Sequence, residues 1–284
     1  MKMNIKTNSK HHSYLVVVLL LFSLKAFSSE TDEFFEKYRE LRSKIQVLVG
    51  EFVQKSIYPD EIYTTSGRVI YVRPDRLIFS TKEPNKTTIL DGKRIYEYDV
   101  EIKQVAIYDL TEKMDTEIFF IAFTEDIERL KDRYKINKVV VDDERGRDGI
   151  SIKPIDEQDK EGSFKEILIL LRSSDYLPYR IRMINTEDVQ TLMDFEKIET
   201  NCKISPKDTQ MFVPAGTTIV VNDRLTEVVG EGGKYIPEPA NIPQELIKSS
   251  EQEMENKPEN NKEVPDKVIV EKDLLPTPQF QEKR

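Results

Sequence analysis

The chain has 284 residues, 43 of them basic and 52 acidic, giving a net charge of −9 at pH 7, with one cysteine, two histidines and no tryptophan. Phosphate backbones and anionic membranes attract basic surfaces, so this acidic balance argues against nucleic-acid binding and against adhesion to anionic membranes. The single cysteine, Cys202, excludes an intramolecular disulfide and reads as a small buried apolar residue.

At the amino terminus, Lys2, Lys6 and Lys10 precede an unbroken apolar run from Leu15 to Phe22, followed by the small residues Ala26, Ser28 and Ser29. That is the layout of a secretory signal, and the run is about half of the roughly 20 residues a transmembrane helix needs. Residues 1–28 are therefore expected to be a signal peptide cut near Ser28, although Lys25 close to the cut leaves retention as a short anchor open. No cysteine lies near the cut to accept a lipid, so the exported chain is expected free in solution. Removing the segment takes away Lys2, Lys6, Lys10 and Lys25 and no acid, leaving 39 basic against 52 acidic residues, a net of −13. It also takes away His11 and His12, and with them Ser-His-Asp and Cys-His nucleophile systems and histidine metal sites. Catalysis by paired carboxylates or by Ser with Lys survives that loss, but abundant acids and lysines are no signal of it. The expectation is a protein that is not an enzyme and needs neither cofactor nor metal.

From Asp32 to Leu48 the apolar residues Phe34, Tyr38, Leu41, Ile45 and Leu48 recur at spacings of three and four, which predicts an amphipathic helix. After Gly50 the period changes to two. Tyr71, Leu77 and Phe79 mark neighbouring strands, Asp91-Gly92-Lys93 a turn, and Tyr96 and Tyr98 share one side of a strand with Glu97 and Asp99 on the other. The segment Ile118 to Phe123 is strongly apolar, and Thr124-Glu125-Asp126 opens a second predicted helix carrying Ile127, Leu130 and Tyr134. Strands are then predicted at Lys138 to Val141, Gly149 to Lys153, Phe164 to Leu171, Tyr179 to Ile184 and Val189 to Ile198. The fold class is α+β, mainly β: one long antiparallel meander with a few helices against it. A curved sheet of this kind can be filled by side chains or can leave an apolar cavity, and the pattern leaves both open.

Three short strings resemble functional loops only weakly. Gly230-Glu231-Gly232-Gly233-Lys234 has no helix pattern behind it and reads as a turn, Asp142-Asp143-Glu144 has the wrong spacing for a calcium loop and reads as a hairpin, and Asn85-Lys86-Thr87 is a common glycosylation pattern. From residue 236 to 284 the chain is rich in Pro, Glu, Lys, Asn and Gln, a composition expected to form a disordered tail. The folded domain is thus expected to span residues 30–235.

Phe52-Val53-Gln54 precedes the string from Ser66 to Phe79 that contains Arg73-Pro74-Asp75, and then come Asp91-Gly92-Lys93-Arg94-Ile95-Tyr96-Glu97-Tyr98-Asp99 and Gln104-Val105. Lys153-Pro154, Thr191, Phe195, Asn201 and Phe212-Val213-Pro214-Ala215-Gly216-Thr217 follow in order. This ordered set resembles the LolA family of periplasmic carriers of outer-membrane lipoproteins, over about Leu41 to Val221. The resemblance implies an incomplete, half-open antiparallel β-barrel whose concave apolar face is covered by helices and holds acyl chains. It implies lipid-modified proteins as cargo, an ATP-driven lipoprotein-releasing transporter in the inner membrane and a lipoprotein receptor in the outer membrane as partners, and a monomer in the periplasm.

On that resemblance the acyl cavity is expected to be lined by Phe52, Tyr71, Leu77, Phe79, Tyr96, Tyr98 and Phe195, with Ile118, Phe119 and Phe123 on the cover. Arg73 is expected to latch the cover shut, or else to be a surface arginine before a turn. Members of the family often carry tryptophan near the positions of Phe79 and Tyr96, and this chain has none. The same fold also serves envelope proteins that carry other lipids or sense mislocalised lipoproteins; a sensor is expected to carry a second domain, which the sequence after Tyr235 does not suggest.

Overall fold

The computed structural model describes residues 30–110, 122–123, 127, 130–141, 145–155 and 164–248. Helix α1 spans Glu30–Ser43, with Glu30, Asp32 and Glu33 at its positive end and Arg42 at its negative end, as the helix dipole favours. The chain divides within this helix into two units, Met1–Lys37 and Tyr38–Arg284. In the first, Phe34 and Phe35 meet edge to face at 5.1 Å. In the second, the predicted helix stops short of Ile45 and Leu48. Ser43 Oγ donates to the Glu40 carbonyl at 2.8 Å, and strand β1 begins at Val47. A helical period ran on by chance into a β-branched stretch that the sheet claims, because Leu48 finds strand partners on both sides, Tyr71 and Thr200.

The strands are β1 (Val47–Ile57), β2 (Ile62–Val72), β3 (Arg76–Thr81), β4 (Lys86–Leu90), β5 (Arg94–Asp99), β6 (Gln104–Asp109), β7 (Tyr134–Val140), β8 (Asp148–Pro154), β9 (Phe164–Leu171), β10 (Pro178–Asn185), β11 (Gln190–Thr200), β12 (Met211–Val213), β13 (Thr218–Val221), β14 (Arg224–Val228) and β15 (Lys234–Ile236). Thirteen form one sheet in the order β14-β13-β6-β5-β4-β3-β2-β1-β11-β10-β9-β8-β7, and β12 pairs with β15 in a second. Pairing is antiparallel except where β13 lies parallel to β6. The long strand β1 joins the two halves of the meander, and among the described residues the ends β14 and β7 do not pair, so the barrel is incomplete. The predicted second helix is described only in part: Leu130 and Arg133 close tight turns, and Tyr134 opens β7 instead of continuing a helix.

One face of β2 to β6 packs against the segment that follows β11. Ile70, Ile78, Ile89, Val105 and Ile107 form a buried cluster with Ile204, Met211, Val213, Ile219 and Val229. The ordered chain continues past the expected boundary at Tyr235. Ile242 is buried in the same cluster, Ile204 bridges Ile247, and Ala240 N–H donates to Thr209 Oγ1 at 2.9 Å. Its few apolar residues follow no period, and it satisfies its backbone on neighbours distant in sequence, which is why composition alone read it as tail.

Candidate functional site

Cross-strand register shows which side chains share a face. Phe52 stands opposite Phe195, Val69 opposite Phe79, and Tyr71 opposite Leu77. On this face the sheet encloses a hollow of about 900 Å³. Phe52, Phe79, Leu90 and Ile95 come from β1 and β3 to β5, while Ile167, Ile169, Ile181, Met183 and Met193 come from β9 to β11, with Ala122 and Phe123 also in the wall. Strands β5 and β9 lie far apart in the sheet order yet line one space, so this face is concave. The volume lies toward the upper end of the roughly 300–1,000 Å³ typical of ligand sites.

Aromatic side chains organise the interior. The Phe123 ring stacks on Tyr71 with centroids 5.9 Å apart and meets Phe195 edge-on at 6.0 Å. Phe52 and Phe79 meet edge to face at 5.7 Å. Gly67, opposite Phe52, is what admits that ring: a Cβ there would lie 2.9 Å from Phe52 Cζ and 2.1 Å from the Ser80 carbonyl oxygen. Thr65, Thr81, Thr88 and Thr191 contribute short side chains to the wall and leave the space unfilled. Polar groups gather at Tyr63, Glu83, Lys86 and Glu97. The Lys86 ammonium pairs with Asp99 at 2.8 Å, which raises the lysine above its ordinary value and lowers the aspartate below its own. The exposed Tyr63 phenol is held above its usual range, chiefly by its hydrogen bond with Glu61.

The expected cavity residues fall into three groups. Phe52 and Phe79 line the hollow, and so does Phe123, which was expected on the cover. Tyr71, Leu77 and Phe195 share that face but are buried, Tyr71 and Phe195 against Phe123. Tyr96 and Tyr98 are in the buried cluster of the opposite face with Ile89, Val105 and Ile107, and Tyr98 also borders a smaller recess over β4 to β6. Alternation correctly set the two tyrosines on one side of β5, but aromatic character did not tell which side was concave; Ile95 and Glu97 take the cavity. Ile118 and Phe119 lie outside the described residues. Arg73 donates from Nε to the Ile45 carbonyl at 3.0 Å and from Nη2 to the Arg42 carbonyl at 2.8 Å, at the carboxyl end of α1.

The far wall escaped sequence reasoning. Ile167-Leu168-Ile169-Leu170 shows no alternation, because β9 is buried on both faces: Ile167 and Ile169 line the hollow while Leu168 and Leu170 pack with Tyr179. The usable signal was in β10 and β11, where Ile181 and Met183 alternate with Arg180 and Arg182, and Met193 precedes Asp194. Those charges pair on the other face, Arg180 with Asp194 at 2.7 Å and Arg182 with Glu166 at 3.2 Å. Among the described residues no group of His, Cys, Asp or Glu could hold a metal ion, and no helix is long and apolar enough to cross a membrane.

The profile of the family described as "Outer membrane lipoprotein carrier protein LolA" matches residues 43–214. An outer-membrane lipoprotein carrier protein of Bordetella avium is 22% identical over 182 residues, which cover 63% of this chain and 82% of the relative. A LolA superfamily protein from Nitrosomonas europaea is similar in structure at 12% identity and a TM-score of 0.38, covering 64% of this chain and 99% of that one. Pseudomonas aeruginosa MucB, in a complex with MucA, gives 13% identity and a TM-score of 0.37 over 63% of this chain and 60% of the other.

Proposed function

The chain belongs to the LolA family of outer-membrane lipoprotein carriers, and from that premise we propose that it binds the acyl chains of lipoproteins in its hollow and shuttles them across the periplasm to the outer membrane. The observation that carries this reading is the concave apolar wall of Phe52, Phe79, Ile169, Ile181, Met183 and Met193 around about 900 Å³. Each methylene moved from water into such a wall gains about 0.8 kcal/mol, so an acyl chain of ordinary length gains on the order of 10 kcal/mol before ordering costs. A lipid-modified protein cannot cross an aqueous space without that shielding.

In this reading the protein is a carrier and not a catalyst. An ATP-driven transporter of the inner membrane loads it, a lipoprotein receptor of the outer membrane unloads it, and the signal read in residues 1–28 delivers it to the periplasm. Phe123, packed between Tyr71 and Phe195, belongs to the cover over the acyl site. Arg73 ties β2 to the end of α1 and serves as the latch of the closed state. The test is to purify the protein from its own envelope and identify copurifying molecules by mass spectrometry. Triacylated lipoproteins are expected; free phospholipid alone, or nothing, contradicts the carrier reading.

A further inference from the structure

Over β4, β5 and β6 a second recess of about 370 Å³ borders the hollow, and the two share Lys86, Thr88 and Glu97 in their walls. The register arranges this face in rows. Leu90 lies opposite Ile95, which lies opposite Tyr108; Thr88 lies opposite Glu97, which lies opposite Ala106; Lys86 lies opposite Asp99, which lies opposite Gln104. Polarity rises from row to row: an aliphatic pair ending in a phenol, then a single carboxylate between small side chains, then an ion pair beside an amide. The recess thus offers a polar place beside the hollow for the polar end of a ligand whose acyl chains occupy it.

The charge of the recess narrows what that end can be. Lys86 is engaged by Asp99 at 2.8 Å, so the Glu97 carboxylate is left as the net charge of the wall. A phosphate placed there meets a like charge, whereas an amide or an ammonium does not. Gln104 and Tyr108 add donors and acceptors of the kind that pair with peptide groups. Glu97 is exposed and lies on the strand face away from the tyrosine cluster, so it has no evident part in holding the fold.

We propose that this recess seats the polar head of the cargo, the first few residues that follow its acylated residue, and that Glu97 makes it select neutral or basic peptide heads over acidic or phosphate-bearing ones. The proposal rests on the reading of the hollow as an acyl site. Two triacylated lipopeptides with the same lipid, one continuing Ser-Lys-Lys and one Ser-Glu-Glu, are titrated against a fluorescent acyl probe bound to the full-length exported chain. A headless alkyl ester serves as reference, and each affinity is expressed relative to it within the same variant. The wild type is expected to favour the basic head by on the order of tenfold, Glu97→Gln to bring the two heads toward parity, and Glu97→Lys to reverse the preference. A wild type indifferent to the head, or a preference that Glu97→Gln and Glu97→Lys both leave in place, overturns the proposal. Failure of the headless ester to displace the probe from the wild type instead overturns the acyl reading of the hollow.

Discussion

Arg73 donates from Nη2 to the backbone carbonyl of Arg42 at 2.8 Å, so a residue at the end of β2 closes the carboxyl end of α1. Helix ends leave carbonyls without intrahelical partners, and a cationic donor satisfies them well. With the second bond to Ile45, Arg73→Leu is expected to lower the unfolding free energy by about 1.5–3 kcal/mol, measured by denaturant titration. The latch role adds a second expectation, slower release of a bound acyl probe. Lowered stability with unchanged release would confine Arg73 to holding the helix end.

The two faces of the sheet separate binding from stability. Met193→Glu puts a charge into the apolar wall and is expected to weaken acyl-probe binding at least about tenfold while the protein still unfolds cooperatively. Tyr96→Ala empties a buried site in the opposite cluster and is expected to cost about 3–5 kcal/mol of stability, with probe affinity of the folded protein unchanged. Fluorescence titration and calorimetry on both variants check the assignment.

Much of this fold was legible from residues. The three strands predicted at Phe164 to Leu171, Tyr179 to Ile184 and Val189 to Ile198 fall on β9, β10 and β11, while β12 to β15 had no such signal, and the ordered strings around Arg73-Pro74 and Asp91-Gly92 pointed to the family. What alternation could not supply was the sign of a face. Tyr96 and Tyr98 look like cavity residues because they are aromatic, yet the segment from Cys202 to Ile247 covers their side of the sheet, so aromatic residues are needed there as core. Periodicity carries no signal of where that segment packs, because the partners of Ile204 and Ile242 are distant in the chain. The wall residues Ile167 and Ile169 were hidden for the converse reason: a strand buried on both faces has no wet face to mark the other as special.

Two shortened chains test the segment beyond Tyr235. A chain ending at Tyr235 loses buried Ile242, the bridge between Ile204 and Ile247, and the bond from Ala240 to Thr209. It is expected to be less stable than one ending at Lys248 by at least about 2 kcal/mol, by thermal or denaturant unfolding. Equal stability would mean that these contacts contribute nothing to the core.

The carboxylate of Asp109 ties β6 to the turn after β13. It accepts from Asn222 Nδ2 at 2.8 Å and from Arg94 Nε at 2.6 Å, and these bonds, the Asn222 one foremost, hold it below the usual carboxylate range. A carboxyl lowered on folding stabilises the protein above its unfolded value of about 3.9, and the contribution disappears as pH falls through the folded value. Asn222 has φ +47°, so Asn222→Gly removes the amide without straining the backbone. In that variant the Asp109 resonance, followed by NMR titration, is expected to titrate closer to its unfolded value of about 3.9, so that its contribution is smaller and its acid-induced loss is complete at a higher pH than in the wild type.

The most direct test of the acyl site is site-specific photocrosslinking in the native envelope. A benzoylphenylalanine at Met183 faces the hollow, while one at the adjacent Arg182 faces the other side of the same strand, where the arginine pairs with Glu166. Irradiation is expected to link the Met183 variant, and not the Arg182 variant, to triacylated lipoproteins. Equal labelling from both positions, or no lipoprotein adduct from Met183, would contradict the assignment of this hollow as the carrier's cargo site.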